Sequence, residues 1–283
     1  MLRERFLADR TPFEAARIAL FGCPFDATAS FRSGARLGPE ALRAASDSIE
    51  TYSPELDADL EDISFCDLGD LPLPVDDTEE ALGRVREEGR RLFSLDKIPF
   101  VLGGEHLLSL PLIEAAREAY SDLVIFQWDA HADLREEYRG AALSHATVMR
   151  RAAEAAGAGR LFQFGIRSGT REEWRWMRGR ETRRDLTAEE VGAALRKSAG
   201  APIYLTLDLD VLDPGEMPGT GNPEPGGIRF AELSACIHSL KRASAPIIAL
   251  DVVELAPPCD PGGSSAVVAA KVVRELLLSL PNS

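Results

Sequence analysis

The segment Leu123-Val124-Ile125-Phe126-Gln127-Trp128-Asp129-Ala130-His131-Ala132-Asp133 joins an apolar run to a group of polar side chains. The apolar half is typical of a buried β-strand. If the extended backbone continues, Asp129, His131 and Asp133 project from one side, because side chains alternate along a strand. Carboxylates and imidazoles are common metal ligands, so the segment predicts a strand that ends in a candidate metal site. Taken alone, the same pattern is also typical of a polar junction between a strand and a loop.

Apolar runs of this kind alternate with helix-like segments along the whole chain. The other strand-like runs cover residues 18–23, 63–68, 99–102, 161–166, 203–207 and 247–253. Helix-like segments begin near residues 39, 78, 107, 147, 170, 187, 230 and 264, and the charged segment 178–185 is typical of solvated surface. This alternation predicts an α/β fold with a mostly parallel sheet covered by helices on both faces. No repeat or linker interrupts it, so we expect one domain over residues 1–283.

Composition and charge narrow the classes of partner. The net charge of −14 argues against nucleic acid and against an anionic membrane surface, and is compatible with a cationic ligand. No apolar stretch reaches the roughly 20 residues of a membrane span, and the start of the chain does not resemble a signal peptide, so we expect a cytoplasmic protein. The four cysteines form no CxxC pattern, which excludes a zinc ribbon or a redox motif of that type.

Polar side chains gather just beyond four of the predicted strands. They are His106, Asp129, His131, Asp133, Asp208, Asp210 and Glu254. In open α/β sheets, ligands bind outside the carboxyl ends of the strands, so we expect these side chains to meet. Two histidines and four aspartates supply enough donors for two cations if two carboxylates bridge them. Oxygen-rich ligation without thiolate favours Mn²⁺ over structural zinc, with zinc or iron as alternatives.

Two further features bear on this site. Residues 214–227 are rich in proline and glycine, which predicts a loop long enough to line a binding site. His238 lies in a helical segment without acidic neighbours in sequence, and we interpret it as a structural residue.

The motifs resemble those of the ureohydrolases, the arginase and agmatinase family. The matching segments are Gly103-Gly104-Glu105-His106, Asp129-Ala130-His131-Ala132-Asp133, Ser144-His145-Ala146-Thr147, Thr206 to Pro214 with its three aspartates, Pro218-Gly219-Thr220-Gly221, and Asp251-Val252-Val253-Glu254. They follow the family's order and spacing from about Phe21 to the C-terminal helix. Any one of these motifs is modest support, but together they are highly specific.

The resemblance implies a fold, an assembly and a reaction. The fold is the three-layer α/β/α arginase-like fold with an eight-stranded parallel sheet, often assembled as trimers or hexamers. The reaction is hydrolysis of a guanidino group to urea and an amine at two Mn²⁺ ions, through attack of a hydroxide that bridges the metals.

The resemblance also implies a role for each site residue. Asp129 and Asp208 bridge the metals, His106 and Asp133 complete one site, and His131 and Asp210 complete the other. Asp133 also passes a proton to the leaving nitrogen. His145 shuttles protons or contacts substrate, and Glu254 holds the guanidinium by a charge-assisted pair.

Four positions depart from the family pattern. Glu105 replaces the commoner Asp, Leu107 a Ser, Ala146 a Gly and Asn222 a Thr. We expect the longer Glu105 carboxylate to orient His106 from the outer shell, which leaves activity possible.

The favoured substrate is agmatine, which would give putrescine and urea. Glu136 and Glu137 suit its amine tail, although a solvated loop explains them equally well. N1-aminopropylagmatine fits the same logic. Arginase, guanidinobutyrase or formimidoylglutamase activity needs a partner for a carboxylate, for which Arg135, Arg139 and Arg150 are candidates. A non-catalytic metal-binding oligomeric relative is the alternative from another class, and the complete ligand set argues against it.

Overall fold

The structure, a computed structural model, describes residues 5–280. Within them the strands are β1 (Ile18–Cys23), β2 (Tyr52–Ser53), β3 (Ala58–Asp59), β4 (Phe65–Asp70), β5 (Ile98–Gly103), β6 (Val124–Trp128), β7 (Leu161–Phe164), β8 (Glu181–Thr182), β9 (Ile203–Asp208) and β10 (Ile247–Val253). The α-helices of the same range are α1 (Gly38–Ser46), α2 (Thr78–Ser94), α3 (Ser109–Ala119), α4 (Val148–Ala156), α5 (Arg171–Met177), α6 (Ala188–Lys197), α7 (Phe230–Arg242) and α8 (Ser264–Ser279).

The main sheet has eight strands among the described residues, in the order β4-β1-β5-β10-β9-β6-β7-β8. Every neighbouring pair in it is parallel. Strands β2 and β3 form a separate antiparallel pair. This confirms the mostly parallel sheet that the alternation predicts and the eight strands that the family resemblance implies.

Helices cover both faces of this sheet, because the central strands are apolar on both sides. In β1, Ile18 and Leu20 pack on one face with residues of α1, α6, α7 and α8. Ala19 and Phe21 pack on the opposite face with residues of α2, α3, α4 and α5. The result is the three-layer α/β/α architecture.

Side-chain caps set the start of several helices. Thr170 accepts a hydrogen bond from the Glu173 backbone N–H at the start of α5, and Thr187 accepts one from Glu190 at the start of α6. Asp77 caps α2 in the same way. Each cap satisfies a backbone donor that the helix itself leaves unpaired.

Residues 178–185 are exposed or half-buried, as expected of solvated surface, but sequence reasoning missed a short strand within them. Glu181 and Thr182 form β8, whose residues pair with Phe162 and Gln163 of β7. A short, charged strand is typical of a sheet edge, where these features discourage pairing with other chains. The β2–β3 pair was also missed, because two-residue strands carry no periodicity.

The described residues bear on two expectations, that the chain has no membrane span and that its cysteines form no paired motif. No helix within residues 5–280 is long and apolar enough to cross a membrane. Cys23, Cys66, Cys236 and Cys259 are all free thiols. The expectations about the first four residues of the chain lie outside the described residues.

Candidate active site

The predicted metal ligands follow β5, β6 and β9, and Glu254 follows β10. These four strands are contiguous in the sheet, in the order β5-β10-β9-β6. Parallel strands present their carboxyl ends at one edge, so residues far apart in the sequence meet there. The sheet therefore places the six metal-ligand candidates and Glu254 at one site.

One group of ligand atoms surrounds His106. Its Nδ1 lies 3.1 Å from Asp129 Oδ2, 3.2 Å from Asp133 Oδ2 and 3.4 Å from Asp208 Oδ2. All four side chains are buried. The ligand atoms of His106, Asp129 and Asp208 lie close enough to one another to hold one ion, and Asp133 lies beside His106.

A second group surrounds His131. Its Nδ1 lies 2.8 Å from Asp210 Oδ2 and 3.8 Å from Asp129 Oδ1. Asp129 thus offers one oxygen to each group. In both groups, the ligand atoms lie close enough to one another to hold a metal ion. This is the placement expected of a carboxylate that bridges two ions.

The hydrogen bonds of His106 favour the metal-binding form of its ring. Its Nε2 lies 2.9 Å from Thr206 Oγ1, and the Thr206 hydroxyl donates to Asp251 at 2.6 Å. With that hydrogen used, Thr206 accepts from Nε2–H, and Nδ1 carries the lone pair. Within residues 5–280, the buried Nδ1 has no hydrogen-bond partner. A lone pair aimed at three carboxylates fits a site made for a cation.

The electrostatics of the cluster give the same indication. Burial, with the charges of Asp210 and Asp133, raises the pKa of Asp129 to about 7. Burial and the same kind of repulsion raise the pKa of Asp208 well above its ordinary range. Burial works against the charged form of His131, but Asp210 outweighs it and raises the imidazole pKa to about 11. Positive charge is needed here to keep the carboxylates ionised, and divalent cations would supply it.

A cavity of about 320 Å³ opens above the cluster, a volume suited to a small molecule. Its walls include His106, His131, Asp133, His145, Asp208, Asp210 and Glu254, together with Ser30, Arg135, Tyr138, Ser168, Thr170, Glu173 and Asn222. Every predicted metal ligand except the fully buried Asp129 lines it.

Glu254 is a buried residue that lines the cavity. Its Oε1 accepts a hydrogen bond of 2.8 Å from the backbone N–H of His106. Burial, with the nearby charge of Glu105, raises its pKa to about 8. A guanidinium entering the cavity would relieve both effects by pairing with this carboxylate.

Backbone conformation also marks this site. Asp133 and Glu254 adopt positive φ angles of 52° and 68°. Non-glycine residues in this region are uncommon and often lie at functional sites. Gly104 is required nearby for a different reason, since a Cβ there would lie 1.9 Å from the Phe25 carbonyl oxygen.

Glu105 does not act on His106 in the way we expected. Its carboxylate accepts hydrogen bonds from the backbone N–H and hydroxyl of Thr28, the latter at 2.6 Å. Thr28 in turn contacts His145, and Ser30 contacts the other ring nitrogen of His145. Sequence reasoning missed Thr28 and Ser30, because hydroxyls in a polar loop give no spacing pattern. The signal that could have found them is their place in the polar loop that follows β1.

Glu136 and Glu137 are not on the cavity wall. They line a neighbouring cleft, which shares Arg135, Thr170 and Glu173 with the cavity. Their role with the substrate tail stays a prediction.

Three arginines were predicted as candidates to pair with a substrate carboxylate. Within the described residues, Arg135 lines the cavity and the other two do not. Arg139 donates to the Ser30 carbonyl, and Arg150 pairs with Glu154.

Two arginines hold the loop of residues 214–227. Arg32 donates to the carbonyls of Thr220 and Pro218, at 2.5 and 3.4 Å. Arg167 donates to the carbonyls of Glu224 and Asp210, both at 2.7 Å. These bonds hold the loop that places Asn222 on the cavity wall. They also fix the backbone carbonyl of Asp210, one of the predicted metal ligands. Neither arginine was singled out from the sequence.

His238 lies away from the cavity in a buried network. Its Nε2 is 2.7 Å from Glu275 Oε2, which also accepts a hydrogen bond of 2.9 Å from Ser53. The acidic neighbour comes from α8, 37 residues further along the chain. This arrangement fits the structural interpretation of His238.

The chain is similar in sequence and in fold to known proteins. The sequence model of the Arginase family matches residues 16–279. An agmatinase of Bacillus subtilis (strain 168) is 42% identical over 275 residues, covering 96% of this chain and 95% of that protein. An N(1)-aminopropylagmatine ureohydrolase of Thermococcus kodakarensis is 37% identical, covering 92% and 89%. The agmatine ureohydrolase structure of Thermoplasma volcanium matches with a TM-score of 0.87 and 29% identity, covering 98% of this chain and 94% of that one. The fold is arginase-like, and the chain belongs to the arginase family.

Proposed function

We propose that this protein is an agmatinase-type ureohydrolase that converts agmatine and water to putrescine and urea. The observation that carries the proposal is the cavity whose base joins the two ligand groups to Glu254 and His145. The similarity to the Bacillus subtilis agmatinase over nearly the whole chain supports the same substrate.

Two Mn²⁺ ions per chain are the proposed cofactors. His106, Asp129, Asp133 and Asp208 would hold one, and His131, Asp210, Asp129 and Asp208 the other. Five or more oxygen donors and no thiolate suit a hard divalent ion. When bound, the ions would supply a hydroxide nucleophile at neutral pH by lowering the pKa of water.

The side chains of the cavity supply the remaining chemistry. Glu254 binds the guanidinium and aligns its carbon over the cluster. Hydrolysis breaks the bond between that carbon and the alkyl-bearing nitrogen, which must gain a proton as it leaves. Asp133 lies at the cavity base and carries this proton, and His145 exchanges protons with the solvent side.

Two observations favour alternative substrates. The Thermococcus kodakarensis relative supports N1-aminopropylagmatine, whose longer cationic tail could reach Glu136 and Glu137 in the neighbouring cleft. Arg135 on the cavity wall supports a carboxylate-bearing substrate, as in guanidinobutyrase, arginase or formimidoylglutamase. Arg135 already faces a carboxylate of the protein, however, since its Nε lies 3.9 Å from Glu173 Oε2. Agmatine therefore remains the first choice.

The proposal also covers the domain organisation, localisation, assembly and partners of the protein. The continuous sheet and the family match over residues 16–279 support one domain over residues 1–283. We propose a cytoplasmic homo-oligomer, a trimer or hexamer, that binds a small cationic guanidino substrate and neither nucleic acid nor membranes. The net charge of −14 supports this choice of partners.

A urea-release assay tests the substrate assignment. The Mn²⁺-loaded protein is incubated with agmatine, N1-aminopropylagmatine, arginine and 4-guanidinobutyrate. We expect the highest kcat/KM with agmatine. A higher value with 4-guanidinobutyrate would assign Arg135 to a substrate carboxylate, and no urea from any of the four would refute the enzymatic function.

A further inference from the structure

Thr28 lies between the buried Glu105 and His145. Its hydroxyl oxygen is 2.6 Å from Glu105 Oε1, and its backbone N–H also donates to the carboxylate. The same hydroxyl oxygen is 3.1 Å from the backbone nitrogen of His145 and 3.3 Å from its Nδ1. Ser30 Oγ lies 3.1 Å from Nε2, the other nitrogen of the ring.

Counting hydrogens assigns a direction to these contacts. A threonine hydroxyl has one hydrogen and two lone pairs. Both oxygens of Glu105 accept from the Thr28 backbone N–H, and the Thr28 hydroxyl donates its hydrogen to Oε1 at the shortest of these distances. Thr28 Oγ1 then accepts from both partners in His145, the backbone N–H and the ring Nδ1–H.

We propose that Glu105, acting through Thr28, is a positioning residue that holds neutral His145 in the Nδ1–H tautomer. Nε2 then carries the ring's lone pair and accepts from the Ser30 hydroxyl, on a residue that lines the cavity. The use of this lone pair in proton transfer rests on the function proposed above, but the tautomer itself does not.

The opposite tautomer is disfavoured by burial. It would need the Thr28 hydroxyl to turn toward Nδ1, which removes its bond to Glu105. Glu105 is only 1% exposed, so water is not at hand to replace the lost donor. Leaving a buried charged acceptor with fewer donors is unfavourable.

The tautomer can be read directly from ¹⁵N chemical shifts of the imidazole nitrogens. The sample is the full-length protein loaded with diamagnetic Zn²⁺, and the His145 signals are identified by their loss in His145→Asn. We expect a protonated Nδ1 and an unprotonated Nε2 in the wild type. A wild-type Nε2–H tautomer would overturn the proposal without any further variant.

Two variants test the route through Thr28. In Glu105→Leu, the Thr28 hydroxyl has lost its acceptor, which frees its hydrogen for Nδ1 and shifts His145 toward the Nε2–H tautomer. Thr28→Val removes the hydroxyl and yields a mixture, whereas Thr28→Ser restores the wild-type signals. Glu55→Leu, at an exposed glutamate, is the matched control. An unchanged Nδ1–H tautomer in folded Glu105→Leu and Thr28→Val proteins would overturn the proposal.

Kinetics separate positioning from general damage. A misplaced proton acceptor should lower kcat by at least about tenfold in Glu105→Leu and Thr28→Val, with a smaller change in KM. Thr28→Ser should keep a kcat near the wild-type value. A wild-type protein that releases no urea would refute the proposed function, while the ¹⁵N measurement would still decide the tautomer.

Discussion

Individual atoms decide what the site can hold. His106 Nδ1 is buried among three carboxylates without a hydrogen bond from the described residues, and Thr206 occupies the opposite nitrogen. Asp129 offers one oxygen to each histidine, while its Oδ1 accepts the His131 backbone N–H at 2.6 Å. The ligand atoms are thus preorganised before any cation binds, which favours tight binding of a metal pair.

The shared position of Asp129 leads to a prediction about metal content. Asp129→Asn removes a charged ligand from both groups, so we expect both ions to be lost. Metal analysis after gel filtration, against Asp76→Asn at an exposed carboxylate, measures this. Asp208→Asn should behave like Asp129→Asn. Retention of two tightly bound ions in either site variant would contradict the bridging role.

Glu254 is expected to act on the substrate. Glu254→Gln keeps the shape of the side chain and removes its charge. Because losing one partner of a buried charge pair costs about 2–5 kcal/mol, kcat/KM for agmatine should fall by about 30-fold or more. Unchanged metal content with reduced kcat/KM is the expected pattern. An unaltered kcat/KM would remove Glu254 from guanidinium recognition.

At the scale of elements, loops carry the ligands and buried polar contacts hold the loops. Arg167 follows β7 in the chain. Its guanidinium donates hydrogen bonds to the backbone carbonyls of Asp210, Val211 and Glu224. Its planar guanidinium has five N–H donors, which a lysine cannot reproduce. A segment without regular backbone pairing is thereby kept in one conformation.

Arg167→Lys should therefore weaken metal binding through Asp210. Loss of outer contacts typically lowers metal affinity by about 10–100-fold, and we expect this for the His131 group more than for the His106 group. Titration calorimetry with Mn²⁺ measures both affinities. Arg171→Lys, at an exposed position of α5, is the control. Equal affinities in the two variants would show that the loop does not depend on Arg167.

The network around Glu275 joins three elements, through Ser53, His238 and Arg274. Burial alone would raise the pKa of Glu275, but its hydrogen bonds from Arg274, His238 and Ser53 outweigh burial and lower it from 4.5. A lowered folded-state pKa means that the contribution to stability is present above pH 4.5. It is lost as the pH falls through the folded-state value.

Glu275→Gln should thus lower the free energy of unfolding at neutral pH by about 1.5–3 kcal/mol, the usual size for charged hydrogen bonds. Denaturant unfolding of wild type and variant at pH 7 and at about pH 3 checks this. The difference between the two proteins should shrink as the pH falls below 4.5 toward the lowered folded-state pKa of Glu275. A difference independent of pH would assign the effect to shape rather than to charge.

At the scale of the whole molecule, strand order creates the site. The polar residues come from sequence positions between His106 and Glu254, and the order β5-β10-β9-β6 brings them together. The strands that carry them are central, so helices cover both faces and the cavity lies at the carboxyl edge. The same edge receives the loop after β1, which brings Thr28 and Ser30 to His145.

Much of this molecule could be predicted from its sequence. Long, mostly apolar runs such as Ile247–Val253 predict strands with the same bounds as in the structure, because strands buried on both faces need apolar residues on both. The β8 strand could not be predicted, since its pairing with β7 depends on backbone contacts rather than on apolar side chains. Thr28 could not be predicted as the hydrogen-bond partner of Glu105. The two residues are 77 positions apart in the chain and come together only in the folded structure.

The products formed from agmatine in ¹⁸O-labelled water test the central claim most directly. Mass spectrometry of the reaction with Mn²⁺-loaded protein should show putrescine and urea in equal amounts, with one ¹⁸O atom in each urea. This result places the attack of water on the guanidinium carbon and the cleavage at the alkyl-bearing nitrogen. Release of ammonia with an N-carbamoyl amine, or no conversion with both metal groups filled, would contradict it.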